Sequence, residues 1–188
     1  MPDAAERHRR HAGAFTELVR GTRDWEAPAP VEGWTARDVV GHLVEWFPGF
    51  LRGGCDVELP AGPSVADDPV AAWTVQCTAV QALLDDPATP SRSFDNRHTG
   101  TLPLDEAVDR FYTADVFMHS WDLARASGQD FSLAPGFAEE LLEGSKPFEQ
   151  LMRDSGQYGP AVPVPDDAPV ADRLIGFIGR DPAWRPPH

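Results

Sequence analysis

Three polar residues recur about one turn apart in an otherwise apolar stretch, ADVFMHSWDLAR, residues 114–125. On an α-helix Asp115, His119 and Asp122 share one face, because their spacings are i, i+4 and i+3. The same face continues towards the N-terminus through Leu104, Val108, Phe111 and Tyr112. We assign the solvent side of this helix to Glu106, Asp109, Thr113 and Ser120. The spacing therefore predicts that Asp115 points into the protein.

A buried carboxylate must find a hydrogen bond, a cation or a metal ion. Asp115 and His119 can reach one ion together, as the two histidines of a HExxH helix do, with one imidazole exchanged for a carboxylate. His42, in DVVGHLVEW, lies on the shoulder of an apolar arc and would supply a third ligand from a facing helix. Three protein ligands leave one coordination position open, as in catalytic zinc sites. The same donor set also suits non-haem iron, so the ligands alone do not decide between Zn²⁺, Ni²⁺ and Fe²⁺.

Other interpretations of these histidines stay open at this stage. A single histidine at the edge of a core is more often a hydrogen-bonded core residue than a ligand. His8 and His11 lie on the inner side of the first predicted helix, so either could replace or supplement His42. His98, in the turn-like DNRHTG, is interpreted as a loop residue.

Asp122 has three possible roles. It could orient His119 through the ring nitrogen that does not face the metal, or act as a base. It could also pair with Arg125 at i+3.

The helices that must position these residues follow from apolar spacing and capping signals. Thr35 and Asp38 form a predicted N-terminal cap, and Pro48-Gly49 should stop or kink that helix. Residues 86–102 are predicted to be irregular, although SRSF could extend briefly, and the sequence predicts no clear strand pairing. The predicted helices cover residues 3–20, 35–48, 68–84, 104–128, 135–153 and, as a short one, 169–178.

This pattern predicts an all-α protein built on a bundle of four antiparallel helices. At 188 residues the chain is long enough for one core, so we expect residues 1–188 to form a single domain. The Pro-rich remainder, about 156–188, should form an extended strap that contains the short last helix. Phe117 and Trp121 lie opposite the helix face that carries Asp115 and His119. Their apolar surface predicts either a second helical layer or a homodimer interface, and without such an interface the protein is a monomer.

The composition excludes several classes of function. A net charge of −14 makes nucleic acid an unlikely partner, because such a surface repels phosphate. No apolar run is long enough for a membrane helix, and the N-terminus is charged rather than apolar like a signal peptide. Two distant cysteines, Cys55 and Cys77, argue against a disulfide scaffold. These features predict a cytoplasmic protein.

Three long segments carry a resemblance to a known family: EGWTARDVVGHLVE, DVFMHSWDLARASGQD and the closing YGPAVPVPDDAP with DRLIGFIGRDPAW. Together they resemble an actinobacterial branch of the DinB-like superfamily, related to the N-terminal domain of mycothiol-dependent maleylpyruvate isomerase. The resemblance implies a four-helix bundle with a divalent metal, usually zinc, held by His42, Asp115 and His119. Asp115 stands where the family commonly has Glu.

The resemblance also implies mycothiol, a low-molecular-weight thiol, as cofactor and a small molecule as substrate. The metal would activate the thiolate for isomerisation or S-transfer. The isomerase has a further C-terminal domain, whose place is taken here by the Pro-rich strap, so the maleylpyruvate reaction itself is not carried over. Arg125, Arg173 and Arg180 could anchor an anionic cofactor or substrate, or form structural ion pairs. A metal-dependent hydrolase with Asp122 as base, or a metal-binding protein without catalysis, are the alternatives.

Overall fold

The computed structural model describes residues 3–96 and 100–186 and shows an all-α fold with one two-stranded sheet. Four long helical segments form the bundle. They are α1 (Ala4–Gly21), α2 (Ala36–Gly54), α3 (Pro69–Asp85) and a fourth segment of three parts, α4 (Leu104–Ala107), a π-helical stretch (Val108–Thr113) and α5 (Ala114–Ser127). None of the described helices is long and apolar enough to cross a membrane.

Side-chain caps fix where these helices begin. The predicted cap of α2 is confirmed, since Thr35 and Asp38 form a reciprocal capping box. Asp3 and Asp68 cap α1 and α3 by accepting hydrogen bonds from backbone N–H groups three residues on, at 2.7 and 2.9 Å. Gly128 ends α5 with φ of +67°, a left-handed conformation that suits glycine.

The bundle core lies between these four segments. α1 packs against α3 and α5, and α2 packs against α5 and α3. Phe15 meets Trp73 between α1 and α3, and Phe47 stacks on Tyr112 at 4.0 Å between α2 and the π-helical stretch. This packing sets α2 beside α5 and therefore decides which of their side chains can meet.

A second helical layer covers the other side of α5. It contains α6 (Pro135–Ser145), α7 (Glu149–Asp154) and α8 (Val170–Phe177). Phe117 and Trp121 pack here with Leu174 and Ile175, which confirms the second layer and uses the surface that a dimer interface would have needed. The predicted solvent side was wrong for Thr113 and Ser120, which are both buried.

Two predicted boundaries differ from the structure, and a third is confirmed. α2 continues through Pro48 to Gly54, because a helix tolerates one missing N–H donor when its apolar face is buried. The predicted helix over 135–153 is divided by a 3₁₀ turn at Lys146–Phe148, where Pro147 cannot donate. The short last helix is confirmed as α8.

The absence of strand pairing was also a wrong prediction. Strands β1 (Ser93–Asn96) and β2 (Gly100–Pro103) form an antiparallel hairpin. Phe94 of β1 is buried and stacks on Phe50 of α2 at 4.5 Å. The hairpin therefore closes one end of the bundle by burying an aromatic ring.

Candidate metal centre

Two helices bring four polar side chains together at one place in the bundle. α2 contributes His42 and Trp46, and α5 contributes Asp115 and His119, each pair at the i, i+4 spacing that shares a helix face. One ligand atom from each of His42, Asp115 and His119 lies within 4.8 Å of the others. The three residues predicted from spacing therefore converge in space.

Asp115 is the shared partner of the other three side chains. Its Oδ2 accepts hydrogen bonds from His42 Nε2 at 2.9 Å and from Trp46 Nε1 at 3.0 Å. Its Oδ1 lies 3.4 Å from His119 Nε2. Burial alone would raise the pKa of Asp115, but His119, His42 and Trp46 together outweigh it and hold the pKa below the usual range. The group is therefore a carboxylate at neutral pH.

His119 is held from behind by a second carboxylate. Its Nδ1 lies 2.8 Å from Asp122 Oδ2, and Arg180 Nη2 donates to the same oxygen at 3.3 Å. Burial would raise the pKa of Asp122, but the Arg180 charge and the His119 hydrogen bond lower it overall. An ionised Asp122 accepts a hydrogen bond from His119 Nδ1, and in the neutral Nδ1–H tautomer the unprotonated Nε2 faces Asp115.

Two indole rings surround the cluster. Trp34 stacks on His119 at a centroid distance of 5.7 Å and lies 5.2 Å from the His42 ring. Trp34 is placed by the loop before α2, where Ala29 N donates to Trp34 O at 2.8 Å. Side-chain exposure is 32% for His42, 19% for Asp115 and 6% for His119. The cluster is therefore open to solvent on the His42 side.

The arrangement fits a divalent metal ion. In the Nδ1–H tautomer His119 Nε2 and Asp115 Oδ1 are two acceptors 3.4 Å apart, a separation at which both can bind one cation. Two ligands of a tetrahedral zinc ion bound at about 2.0–2.1 Å lie roughly 3.3 Å apart. Two imidazoles and one carboxylate are a donor set typical of zinc and iron sites. His42, Asp115 and His119 are the residues that would hold the ion.

The other predicted histidines lie elsewhere. His8 Nδ1 is 2.9 Å from Gln81 Oε1, between α1 and α3. His11 packs between Phe117 and Phe137, with ring centroids at 4.8 and 4.9 Å. Neither belongs to the cluster that could hold a metal, and burial lowers the pKa of both. His98 lies outside the described residues.

The arginines predicted as anion anchors form no hydrogen bond or ion pair with His42, Asp115 or His119 in the part of the chain that the structure describes. The Arg125 guanidinium lies over the Trp121 ring at 5.2 Å, and Asp122 pairs with Arg180 rather than with Arg125. Within residues 3–96 and 100–186, Arg125 and Arg173 have no carboxylate partner, and the Nε atom of each is buried without a hydrogen bond. Arg180 forms the structural ion pair.

Sequence reasoning missed two members of the centre and one contact. Trp46 lies one turn after His42 in the sequence, so its place on the same face of α2 was readable. Trp34 follows Gly33 in a loop, and no spacing rule gives its position. The contact of Arg180 with Asp122 joins residues 58 positions apart, and it becomes visible only after α8 is placed.

Comparison with known proteins matches the chain to one family and to uncharacterized relatives. The family model for the mycothiol maleylpyruvate isomerase N-terminal domain matches residues 8–124. Two uncharacterized proteins of Mycobacterium tuberculosis, one from strain CDC 1551 / Oshkosh and one from strain H37Rv, are each 30% identical over 182 residues. Each alignment covers 92% of this chain and 95% of the relative. No solved structure matches the chain significantly.

Proposed function

Because the chain belongs to the mycothiol maleylpyruvate isomerase N-terminal domain family, we propose that it is a divalent-metal protein that uses a low-molecular-weight thiol, mycothiol, as an isomerase or S-transferase. The convergence of His42, Asp115 and His119 within 4.8 Å carries the proposal. We further propose that Zn²⁺ is the native metal, that residues 1–188 act as one domain, and that the protein works in the cytoplasm, where thiols are kept reduced.

Each residue of the centre has a definite task in this proposal. His42, Asp115 and His119 provide two neutral ligands and one negative ligand, which leaves a divalent site with one positive charge. A divalent metal there would lower the pKa of a bound thiol, so that the sulfur is present as the nucleophilic thiolate near neutral pH. Trp34 and Trp46 shield the cluster from water on two sides. The partly exposed His42 side chain marks the side from which a small molecule can reach the cluster.

Two reactions of a thiolate fit this centre. A thiol cofactor held at His42, Asp115 and His119 through the metal would supply a nucleophilic sulfur. That sulfur would serve either reversible addition to an electron-poor double bond, which permits isomerisation, or displacement of a leaving group that departs with its electron pair, which is S-transfer. We propose Arg125 and Arg173 as anchors for an anionic substrate or cofactor, since these guanidinium groups have no carboxylate partner among the described residues.

A metal-dependent hydrolase is less well supported. That mechanism assigns Asp122 as the base for an attacking water. The Asp122 side chain is 1% exposed, and its Oδ2 already accepts hydrogen bonds from His119 and Arg180. A carboxylate in this position orients a histidine rather than taking a proton from solvent.

Elemental analysis of untagged protein tests the metal. We expect near-stoichiometric zinc in the wild type and loss of metal in His42→Ala, Asp115→Ala and His119→Ala. Glu45→Ala, an exposed acidic residue on α2, serves as the matched control and should keep the metal. A wild type that takes up no zinc, nickel or iron would contradict the proposal.

A Co²⁺-substituted protein tests the thiol. Addition of mycothiol should change the visible spectrum of the bound Co²⁺, because a sulfur ligand alters both intensity and energy of its bands. The S-methyl derivative of mycothiol, which cannot form a thiolate, is the control and should leave the spectrum unchanged. Equal spectra with and without mycothiol would exclude a role for the metal in thiol activation.

A further inference from the structure

The Asp122 side chain joins two distant parts of the chain. It lies between His119 on α5 and Arg180, which follows α8, and both contacts fall on Oδ2, at 2.8 and 3.3 Å. Asp122 is fully buried, and the Arg180 side chain is 11% exposed. The family match ends at residue 124, so Arg180 comes from the part of the chain outside it.

The contact between Asp122 and Arg180 does not use all the polar atoms of the two side chains. Within the described part of the chain, Asp122 Oδ1 and Arg180 Nε are both buried without a hydrogen bond. One is an acceptor and the other a donor, and they belong to the two groups already in contact. A guanidinium can bind a carboxylate through two parallel N–H bonds, an arrangement that would use both atoms.

The backbone before Arg180 is held tightly in place. Arg180 N donates to Ile175 O at 2.9 Å, and Arg180 Nη1 donates to Ile178 O at 3.0 Å. Gly179 adopts φ of +92° and lies against the backbone of Gly159, where a Cβ atom would come within 2.7 Å of that backbone. Arg180 is therefore presented to Asp122 by a turn that only a small residue permits.

We propose that Arg180 is a positioning residue of the metal centre, which fixes the Asp122 carboxylate and through it the ring of His119. The inference rests on the proposed function for its metal. It assigns the Pro-rich strap, which contains Arg180, a role in positioning a metal ligand. Without Arg180 the Asp122 carboxylate would lose its second contact on Oδ2 and would be free to turn away from His119. It would then no longer accept the Nδ1 proton of His119, and Nε2 would no longer be held towards Asp115.

Zinc affinity in four variants of the full-length protein, measured against a chromophoric chelator, tests the inference. Loss of a group that orients a metal ligand costs about 10- to 100-fold in affinity, so Arg180→Met and Asp122→Asn should each weaken zinc binding by about that factor. Arg180→Lys keeps the charge without the planar fork and should fall between Arg180→Met and the wild type. Arg185→Met removes an exposed arginine of the same segment and should bind zinc like the wild type.

The double variant Arg180→Met/Asp122→Asn separates positioning from general stability. If Arg180 acts through Asp122, the double variant should bind zinc within about twofold of Asp122→Asn alone, because the two substitutions remove one interaction. If the losses of zinc affinity in the two single variants multiply in the double variant, the inference is overturned. It is also overturned if the Arg180→Met protein binds zinc like Arg185→Met. If Arg180→Met does not fold by circular dichroism, the comparison is made with Arg180→Lys, and unchanged affinity there would equally overturn it.

A measurement on metal-free protein keeps this inference distinct from the proposed function. The ring ¹⁵N resonances of His119, assigned with His119→Gln, should show the Nδ1–H tautomer in the wild type and a mixture in Arg180→Met. A wild type that binds no metal but shows this change would contradict the proposed function and support the positioning role. Zinc binding together with an unchanged tautomer in Arg180→Met would support the function and overturn the role.

Discussion

Asp115 carries the negative charge of the centre, and its neighbours determine whether it keeps that charge. A carboxylate at this depth is unfavourable unless hydrogen-bond donors or cations compensate it. His42 and Trp46 both donate to Oδ2, from successive turns of α2. The indole contact differs from the imidazole contact because Trp46 is not a metal ligand. It can therefore be removed without removing a ligand.

Trp46→Phe should lower the free energy of unfolding of the metal-free protein by about 2 kcal/mol. The substitution keeps an aromatic ring beside Phe47 and Phe50 and removes the N–H group that binds Asp115. A hydrogen bond to a charged group contributes about 1.5–3 kcal/mol. Urea denaturation at pH 7 measures the difference.

Trp34→Phe is the matched control for that experiment. Trp34 is similarly half-buried and stacks on His119, but no hydrogen bond of its indole N–H is found among the described residues. Its substitution should cost clearly less than that of Trp46. Equal losses in the two variants would show that ring size, and not the hydrogen bond to Asp115, determines the cost.

At the scale of elements, the fourth helical segment shows why projection at a fixed angle was partly wrong. The π-helical stretch Val108–Thr113 changes the register between α4 and α5, because each of its hydrogen bonds spans an additional residue. A stripe drawn at about 100° per residue cannot follow that change. Asp115 still faces inward because it is paired with His119 on α5 itself, whereas Thr113, placed outside by projection, is buried.

Within the Pro-rich strap, the contact between α8 and the residues before it also depends on one small residue. Gly176 lies in α8, where a Cβ atom would overlap the Val164 side chain and approach Val162 O to 2.7 Å. Gly176→Ala should therefore destabilise the protein by about 1–3 kcal/mol, since backbone atoms must shift to accept the methyl group. Thermal or urea unfolding measures this loss.

Gly144→Ala tests whether that cost comes from contact rather than from helix propensity. Gly144 lies in α6 and has nothing within 4 Å of an added Cβ atom. Alanine is favoured over glycine by about 1 kcal/mol in a helix, so this variant should be more stable than the wild type. A stabilised Gly176→Ala protein would mean that the strap does not lie against α8 as described.

At the scale of the whole molecule, local sequence rules predicted most of the helices and three of the residues that meet. Capping and apolar spacing are local, so the Thr35 cap and the α8 helix could be predicted. The hairpin could not, because burial of Phe94 depends on Phe50, which lies far away in the sequence. Arg180 was missed as the partner of Asp122 for the same reason.

The two cores of the molecule meet at His11. This residue of α1 contacts Phe117 of α5 and Phe137 of α6, so it touches the bundle and the second layer together. It is 8% exposed, and burial, with the nearby charges of Arg10 and Arg7, lowers its pKa to about 4. The unfolded chain, with an ordinary histidine pKa of about 6.5, therefore binds more protons than the folded chain between these values. The neutral His11 side chain therefore stabilises the folded protein above about pH 6.5, and this stabilisation is lost as the pH falls towards 4.

This difference in proton binding predicts how His11 changes stability with pH. From pH 7 to pH 5 the wild type should lose about 2 kcal/mol more unfolding free energy than His11→Leu, which keeps an apolar side chain and cannot bind a proton. Asp109, whose pKa is raised by burial to about 6, changes stability in the opposite direction but is present in both proteins, so the comparison isolates His11. Urea denaturation of both proteins at half-unit pH steps measures the two slopes. Parallel slopes would mean that His11 titrates normally in the folded protein and that the two cores are open to water where they meet.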